Sequence, residues 1–208
     1  MKRLVCVVEG HGEVEAVPSL CVKILDYLGI EGWVVDKQPI RHPRSRLVDE
    51  TVPSPLRPAN RDGIRRVVTL AKARPANGVL LLCDSDDDCA AFWANDVQKI
   101  LEPAQGAVMA IREFEAWLLS RFSAGELRKA RVSAPERKRN AKGALKKLIK
   151  DYKPSTHQLS EVRKIDIDMA RRLRHGSTDD AREGVWTQPP LGFWRREAHA
   201  ADDPWVGP

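Results

Sequence analysis

Two short apolar segments of this sequence each end in a cluster of carboxylates. Residues 79–83 are followed within five positions by four aspartates, Asp84, Asp86, Asp87 and Asp88. Residues 4–8 run directly into Glu9, and Glu13 follows four positions later. Apolar runs of this length are typical of strands buried in a parallel sheet, where ligands bind beyond the carboxyl ends of the strands. The pattern therefore predicts a functional site among these acids.

The two acidic segments together have the residue types of a cation site. If the two strands are neighbours in the sheet, four carboxylates converge on one point: Glu9, Glu13, Asp84 and Asp86. Carboxylates crowded together repel one another, so a bound cation is the best explanation of such a cluster. Oxygen ligands without clustered cysteine or histidine favour Mg²⁺ or Mn²⁺ over zinc. A helix-capping role is the ordinary alternative for aspartates after a strand, and we assign it to the last two aspartates of the run.

Two further acids, Glu113 and Glu115, follow a predicted strand at residues 106–111 and begin a helical segment. Acids near a helix N-terminus commonly do no more than complement the helix dipole. These two also lie at the same edge of the predicted sheet, where they would complete the cation shell, and the sequence leaves both interpretations open. His11, in the loop after the first strand, is a weaker candidate for orienting a phosphate or a water molecule.

The order of the predicted elements indicates the fold class. Residues 1–112 alternate as β-α-β-α-β-α-β, which predicts an α/β fold with a parallel, Rossmann-like sheet flanked by helices. We expect the proline-rich loop at residues 38–60 to lie beside the acidic site. Residues 113–175 carry only helical signals and form a predicted C-terminal helical extension. Residues 176–208 are rich in Gly, Pro and Trp without a clear period, which predicts an irregular or flexible tail.

The net charge of +6 is unevenly distributed along the chain. Residues 128–150 hold ten lysines and arginines against a single acid, Glu136. A solvated helical face is the ordinary explanation of a charge run, but this imbalance exceeds what solubility requires. We therefore predict contact with the phosphates of a nucleic acid. DNA is favoured over RNA as the partner, but the charge run itself does not distinguish the two. The residues assigned to this contact are Arg139, Lys142, Lys146, Lys147 and Lys153.

The cysteines and the apolar runs bear on the cellular compartment. The four cysteines form no Cys-x-x-Cys pair, and Cys6 and Cys83 fall inside predicted strands. We expect buried free thiols rather than a disulfide framework or a thiolate zinc site. No apolar run reaches the ~18 residues of a membrane-spanning helix, and residues 2–8 are typical of a strand rather than a secretory signal. A cytoplasmic protein without membrane contact is the expectation.

The order of these motifs resembles that of the TOPRIM (topoisomerase–primase) domain. The segment Glu-Gly-His-Gly-Glu at residues 9–13 is similar to the Glu-Gly-x-x-Glu form of its overcoming-lysogenization-defect nucleases. Asp-x-Asp at residues 84–86 resembles the second acidic motif of the domain. With Glu-Ala-Trp-Leu-Leu at residues 115–119, Lys142 and Tyr-Lys at residues 152–153, the chain most resembles the TOPRIM-like family numbered 4276 among the domains of unknown function.

The resemblance covers most of residues 1–175 and implies phosphodiester hydrolysis that depends on Mg²⁺ or Mn²⁺. It implies catalytic roles for five acids: Glu9, Glu13, Asp84, Asp86 and Glu115. The first four of these would also ligate the metal ion. A partner ATPase and a role in defence against phage are implied as well, and a homo-oligomer is left open.

Two other classes of function stay open. In the first, the chain is a non-catalytic subunit that binds nucleic acid or an ATPase, and its acids hold a structural cation. In the second, it is another metal-dependent phosphotransferase, such as a phosphatase. A phosphatase of the haloacid dehalogenase type carries its nucleophilic aspartate after the first strand, where this chain has Glu9, so this class ranks last. The sequence has no Gly-x-x-x-x-Gly-Lys-Ser/Thr loop, so we expect no ATP hydrolysis by that device.

Overall fold

A parallel sheet flanked by helices forms the centre of this protein, whose computed structural model describes residues 1–102, 105–135 and 138–168. The strands are β1 (Lys2–Val8), β2 (Trp33–Val35), β3 (Ile40–Arg41), β4 (Gly78–Asp84) and β5 (Gln105–Ala110). Their order is β2-β1-β4-β5, every pair is parallel, and β3 pairs with the end of β1. The predicted α/β class with a parallel, Rossmann-like sheet is confirmed.

Helices follow the strands in the described part of the chain. They are α1 (Glu13–Tyr27), α2 (Arg61–Lys72), α3 (Ala90–Gln98), α4 (Phe114–Leu119), α5 (Ala124–Lys129), α6 (Ala141–Leu148) and α7 (Pro154–Lys164). Local signals set several of their ends: Asn60 caps α2 through the N–H of Gly63, and Ser123 forms a capping box with Glu126 at the start of α5. No helix among the described residues has the length and apolar character needed to cross a bilayer.

Alternate side chains of the strands face two different helical layers, because successive residues of a strand point to opposite faces. On one face, Cys6 and Val8 pack in a cluster with residues of α1, α4, α6 and α7. On the other, Val7 and Cys83 pack with residues of α2 and α3. Cys6 and Cys83 are fully buried free thiols, and Cys6 Sγ lies 3.7 Å from Cys21 Sγ. The predicted burial of these thiols is confirmed.

The helical segment after residue 112 belongs to the same hydrophobic cluster as the sheet. Phe114, Leu145 and Val162 are fully buried in the cluster that also contains the apolar face of α1. The domain boundary at residue 112 stays a prediction. Three sequence-based assignments fall outside the described ranges: the end of the helical extension (169–175), the tail (176–208) and two residues of the basic run, Glu136 and Arg137.

Strand register brings the predicted acidic segments to one edge of the sheet. β1 and β4 are neighbours, and Val7 lies opposite Leu81. Glu9 therefore follows β1 at the edge where Asp84 ends β4. β5 lies on the other side of β4 and leads into α4 at that same edge. The carboxyl ends of three neighbouring strands thus supply the site.

Candidate functional site

A cavity of about 540 Å³ opens at the carboxyl edge of the sheet. Six carboxylates line it: Glu9, Glu13, Asp84, Asp86, Glu113 and Glu115. The beginnings of α6 and α7 supply the residues Asn140, Lys142, Pro154, Ser155 and Gln158. Every acid that the sequence assigned to the site lies on this cavity, together with His11.

Backbone amides hold three of these carboxylates in place. Glu13 Oε2 accepts hydrogen bonds from the N–H groups of Glu9 at 3.0 Å and Gly10 at 3.2 Å. Glu9 Oε2 accepts a bond from the N–H of Asp84 at 3.3 Å. Asp84 Oδ1 in turn accepts a bond from the N–H of Phe114 at 2.7 Å. These bonds join the ends of β1 and β4 to the start of α4, so the regular elements of the fold orient the acids.

The helical segment contributes two acids with partners of their own. Glu115 lies in the first turn of α4 and is 7% exposed, and its Oε1 accepts a hydrogen bond from Gln158 Nε2 at 3.2 Å. Glu113 Oε2 accepts a bond from the N–H of Lys142 at 3.0 Å. Glu113 thus complements the N-terminus of α6 rather than that of α4. Both side chains tie α4 to the helices that complete the cavity wall.

One oxygen of each strand-end carboxylate is left for a ligand. Within the described residues, hydrogen bonds reach only Oε2 of Glu9, only Oε2 of Glu13 and only Oδ1 of Asp84. A carboxylate can accept a backbone N–H at one oxygen and a cation or a ligand proton at the other. The three side chains therefore combine fixed orientation with free acceptor capacity.

Burial and mutual repulsion disfavour the charged forms of these acids. Burial is the main cause that raises the pKa of Asp84 to about 9, and the charges of Glu13 and Glu9 raise it further. Burial also raises the pKa of Glu13 to about 7. The pKa values of Glu9 and Glu115 are raised as well, again mainly by burial. Such a group needs protons or added positive charge near neutral pH, which is typical of ligand-binding or catalytic sites.

Asp87 and Asp88 pair with arginines, and the prediction that they cap the following helix is wrong. α3 has Cys89 at its N-cap position without a side-chain hydrogen bond, and no acid lies in its first turn. Asp88 is buried and pairs with Arg44, while Asp87 pairs with Arg139, whose Nη2 lies 2.6 Å from Asp87 Oδ1. Ion pairing with arginines distant in sequence therefore takes the place of capping.

Among the described residues, the four acids with a raised pKa form no such ion pair, although Arg44 lowers the pKa of Glu9 and Lys142 lowers that of Glu115 from a distance. In the described part of the chain, no lysine, arginine or histidine forms an ion pair with Glu9, Glu13, Asp84 or Glu115, and the nearby arginines pair with other acids. Charged carboxylates that are buried without a partner cost free energy. A cation from outside the chain would offset this cost.

The residue types of the cavity suit a metal ion, but the positions of their side chains do not form a metal site. Carboxylate oxygens are the ligands that Mg²⁺ and Mn²⁺ prefer, so the residue types fit. Among residues 1–102, 105–135 and 138–168, however, no group of three or more histidine, cysteine, aspartate or glutamate side chains is gathered tightly enough to hold a metal ion. Ligation by Glu9, Glu13, Asp84 and Asp86 would therefore require side-chain rotation toward a common point.

The predicted phosphate-binding residues reach the cavity only in part. Lys142 lies on its wall, and Arg139 is exposed and paired with Asp87. Three others are exposed away from the cavity wall: Lys146, Lys147 and Lys153. Contact of these residues with nucleic acid stays a prediction.

Sequence reasoning missed three polar residues of the cavity wall: Asn140, Ser155 and Gln158. Asn140 adopts a left-handed conformation with φ 57° and caps α6 by accepting a hydrogen bond from the N–H of Gly143 at 2.9 Å. An asparagine directly before an apolar helical period is a capping signal that could have identified it. Gln158 is 3% exposed and holds Glu115, but a single glutamine within a helix carries no sequence signal.

Comparison with known proteins adds no assignment. No family model, no curated protein and no solved structure matches this chain. A shared fold would not by itself decide the chemistry, since one fold supports many functions. The functional interpretation therefore depends on the residues of the cavity.

Proposed function

We propose that this protein is a TOPRIM-type nuclease that hydrolyses phosphodiester bonds with Mg²⁺ or Mn²⁺. The observation that carries the proposal is the set of six carboxylates on one cavity at the carboxyl edge of the sheet. Four of them have a raised pKa and form no ion pair within the described residues. A cavity of this kind favours a cationic ligand, because the ligand relieves repulsion among its own binding groups.

The roles of the acids follow from their free oxygens. Glu9 Oε1, Glu13 Oε1 and Asp84 Oδ2 would ligate the ion, with the exposed Asp86 as a fourth ligand. A bound divalent ion supplies Lewis-acid stabilisation of the phosphate and a more acidic water. Glu115 Oε2, the oxygen that Gln158 does not hold, would accept a proton from the attacking water.

The substrate proposal depends on the basic residues beside the cavity. Lys142 would contact the phosphate nearest the acids, and the exposed cations would contact neighbouring phosphates along the strand: Arg139, Lys146, Lys147 and Lys153. Phosphate contacts of this kind supply affinity without sequence preference. DNA rather than RNA, a partner ATPase and a role in defence against phage are proposed from the resemblance to the TOPRIM-like family alone.

Cleavage of plasmid and single-stranded DNA with Mg²⁺, Mn²⁺ or EDTA tests the proposal. We expect metal-dependent cleavage by the parent, alone or with a neighbouring ATPase, and a loss of orders of magnitude in Asp84→Asn. Glu102→Gln is the matched control, because Glu102 is an exposed acid that pairs with Lys72 outside the cavity. Equal cleavage by parent and Asp84→Asn, or no cleavage by the parent in any mixture, would contradict a nuclease site at this cavity.

A second candidate function is a non-catalytic subunit with a structural cation. The lack of a tightly gathered ligand group among the described residues counts against catalysis at this cavity, although it counts equally against a tightly held structural cation. A parent protein that binds Mg²⁺ and nucleic acid or an ATPase, but cleaves nothing in the same assay, would support this candidate over the nuclease.

A further inference from the structure

Arg44 connects the proline-rich loop to the backbone that carries the acids. It begins a short 3-10 turn (Arg44–Arg46), and its side chain is only 9% exposed. Arg44 Nε donates a hydrogen bond to the carbonyl oxygen of Asp84 at 3.3 Å, and Nη2 donates one to that of Ser85 at 3.4 Å. Nη2 also pairs with Asp88, whose side chain is 1% exposed. One guanidinium therefore spans the acidic turn, residues 84–88.

The end of β5 also holds the acidic turn. The N–H of Ser85 donates to the carbonyl of Ala110 at 2.9 Å, and the N–H of Asp86 donates to that of Arg112 at 3.0 Å. Asp86 has a φ of 49°, a left-handed conformation that is uncommon outside glycine, although aspartate adopts it more readily than most residues. β5 thus binds amides of the turn, whereas Arg44 binds its carbonyl oxygens, so the turn is held through both kinds of backbone group.

We infer, on the basis of the function proposed above, that Arg44 is a positioning residue that holds the acidic turn so that Asp84 and Asp86 face the cavity. Arg44 does not line the cavity, so it acts through the turn rather than on a ligand. Its planar fork can serve two carbonyls and a carboxylate at once, whereas a lysine ammonium cannot reproduce that geometry. Its Nε also lies 3.5 Å from Asp86 Oδ2, which keeps this exposed carboxylate beside the site.

Arg57 offers a matched control for this role. Its Nη1 lies 3.7 Å from Asp88 Oδ2, so it shares one ion-pair partner with Arg44. Its Nε, however, donates to the carbonyl of Val52 at 2.8 Å, within its own loop, and not to the acidic turn. Loss of Arg57 therefore removes charge near Asp88 without removing any hydrogen bond from Arg44 to the backbone of the acidic turn.

Amide hydrogen exchange in EDTA tests the inference without any metal ion. In Arg44→Lys and Arg44→Gln, we expect the amides of Ser85 and Asp86 to exchange at least about tenfold faster than in the parent, because the turn opens more often. In Arg57→Gln, the amides of Ser85 and Asp86 should exchange at the same rate as in the parent. If Arg44→Gln does not fold, the double variant Arg44→Gln/Asp88→Asn removes the unpaired buried charge and gives the same comparison.

Mn²⁺ binding by the folded variants gives the second readout. Residues that orient metal ligands without touching the ion typically contribute about 10- to 100-fold in affinity, so Arg44→Lys should bind Mn²⁺ at least about tenfold more weakly, and Arg57→Gln normally. Unchanged exchange and unchanged affinity in Arg44→Lys would overturn the positioning role while leaving the nuclease proposal intact. A parent that binds no Mn²⁺ would contradict the proposed function, and the exchange rates would still decide the role of Arg44.

Discussion

The backbone N–H of Asp84 donates a hydrogen bond to Glu9 Oε2 across 3.3 Å, between the ends of two neighbouring parallel strands. The bond brings a second carboxylate, that of Asp84, close to the first. Sheet geometry thus imposes proximity on two like charges. Burial is the main cause that raises the pKa of each acid; the charge of Glu9 raises the pKa of Asp84 further, whereas the bond from the N–H of Asp84 lowers that of Glu9. The crowding of the cavity is therefore built into the backbone.

This crowding predicts a specific dependence of stability on pH in the metal-free protein. The pKa of Asp84 is raised to about 9. An unfolded aspartate titrates near ~4, so over the range between these values the folded state binds a proton that the unfolded state does not. Asp84 therefore makes the free energy of unfolding fall as the pH rises through this range. Asp84→Asn removes that contribution.

Urea unfolding in EDTA at several pH values, for parent and variant, measures this effect. We expect the free energy of unfolding to fall less steeply with rising pH in Asp84→Asn than in the parent. Identical pH dependence in the two proteins would show that Asp84 titrates normally and that the cavity does not disfavour its charge.

Apolar runs and strand ends made much of the fold predictable. The pattern predicts a helix over residues 13–28, and the structure has α1 at Glu13–Tyr27, followed by Gly29 at φ 64°. Glu9 and Asp84 were identified because parallel strands deliver their carboxyl ends to one edge. The pairing of Arg44 with Asp88, however, joins residues 44 positions apart and is invisible to local patterns. The same applies to the bond between Gln158 and Glu115, which depends on how α7 packs.

The basic residues predict how nucleic acid binding depends on salt. The triple variant replaces Lys142, Lys146 and Lys147 with alanine and should remove up to three phosphate contacts. The slope of log affinity against log salt concentration should then fall by up to about 3 units, for all nucleic acid sequences alike. The control variant replaces three cations of α2 with alanine: Arg65, Arg66 and Lys72. It removes equal charge, but α2 packs on the face of the sheet opposite α6. Filter binding across a salt series should separate the two variants, and equal losses would indicate a general charge effect.

The close packing of Gly63 against the 3-10 turn that carries Arg44 predicts that this position tolerates only glycine. A methyl group at Gly63 would overlap the carbonyl oxygen of Arg46, a backbone atom of the 3-10 turn. Gly63→Ala should therefore lower the free energy of unfolding by about 1–3 kcal/mol, as overpacking does. Gly125→Ala is the control, because its nearest neighbour is Ser123 Oγ at 4.0 Å and helix propensity favours alanine. In urea unfolding, the free energy of unfolding should fall in Gly63→Ala and rise in Gly125→Ala. An unchanged free energy of unfolding in Gly63→Ala would show that the 3-10 turn shifts freely.

Replacing the buried thiols should change the stability of the protein but not its catalytic activity. Cys6→Ala and Cys83→Ala should each lower the free energy of unfolding by about 1 kcal/mol, because each leaves a small cavity in the core. Cleavage rate and cation affinity should not change. Chemical denaturation beside the cleavage assay tests both statements, and a loss of activity with unchanged unfolding would assign these thiols a functional role.

Calorimetric titration of the metal-free protein with Mg²⁺ and Mn²⁺ tests the cation site most directly. Asp84 and Glu13, with pKa values raised to about 9 and about 7, hold protons near neutral pH that a bound cation displaces. We predict saturable binding at millimolar concentration or below, with a heat that varies with the ionisation enthalpy of the buffer. Glu9→Gln and Asp84→Asn should weaken binding at least about tenfold. A parent protein that binds neither ion at millimolar concentration would contradict the account.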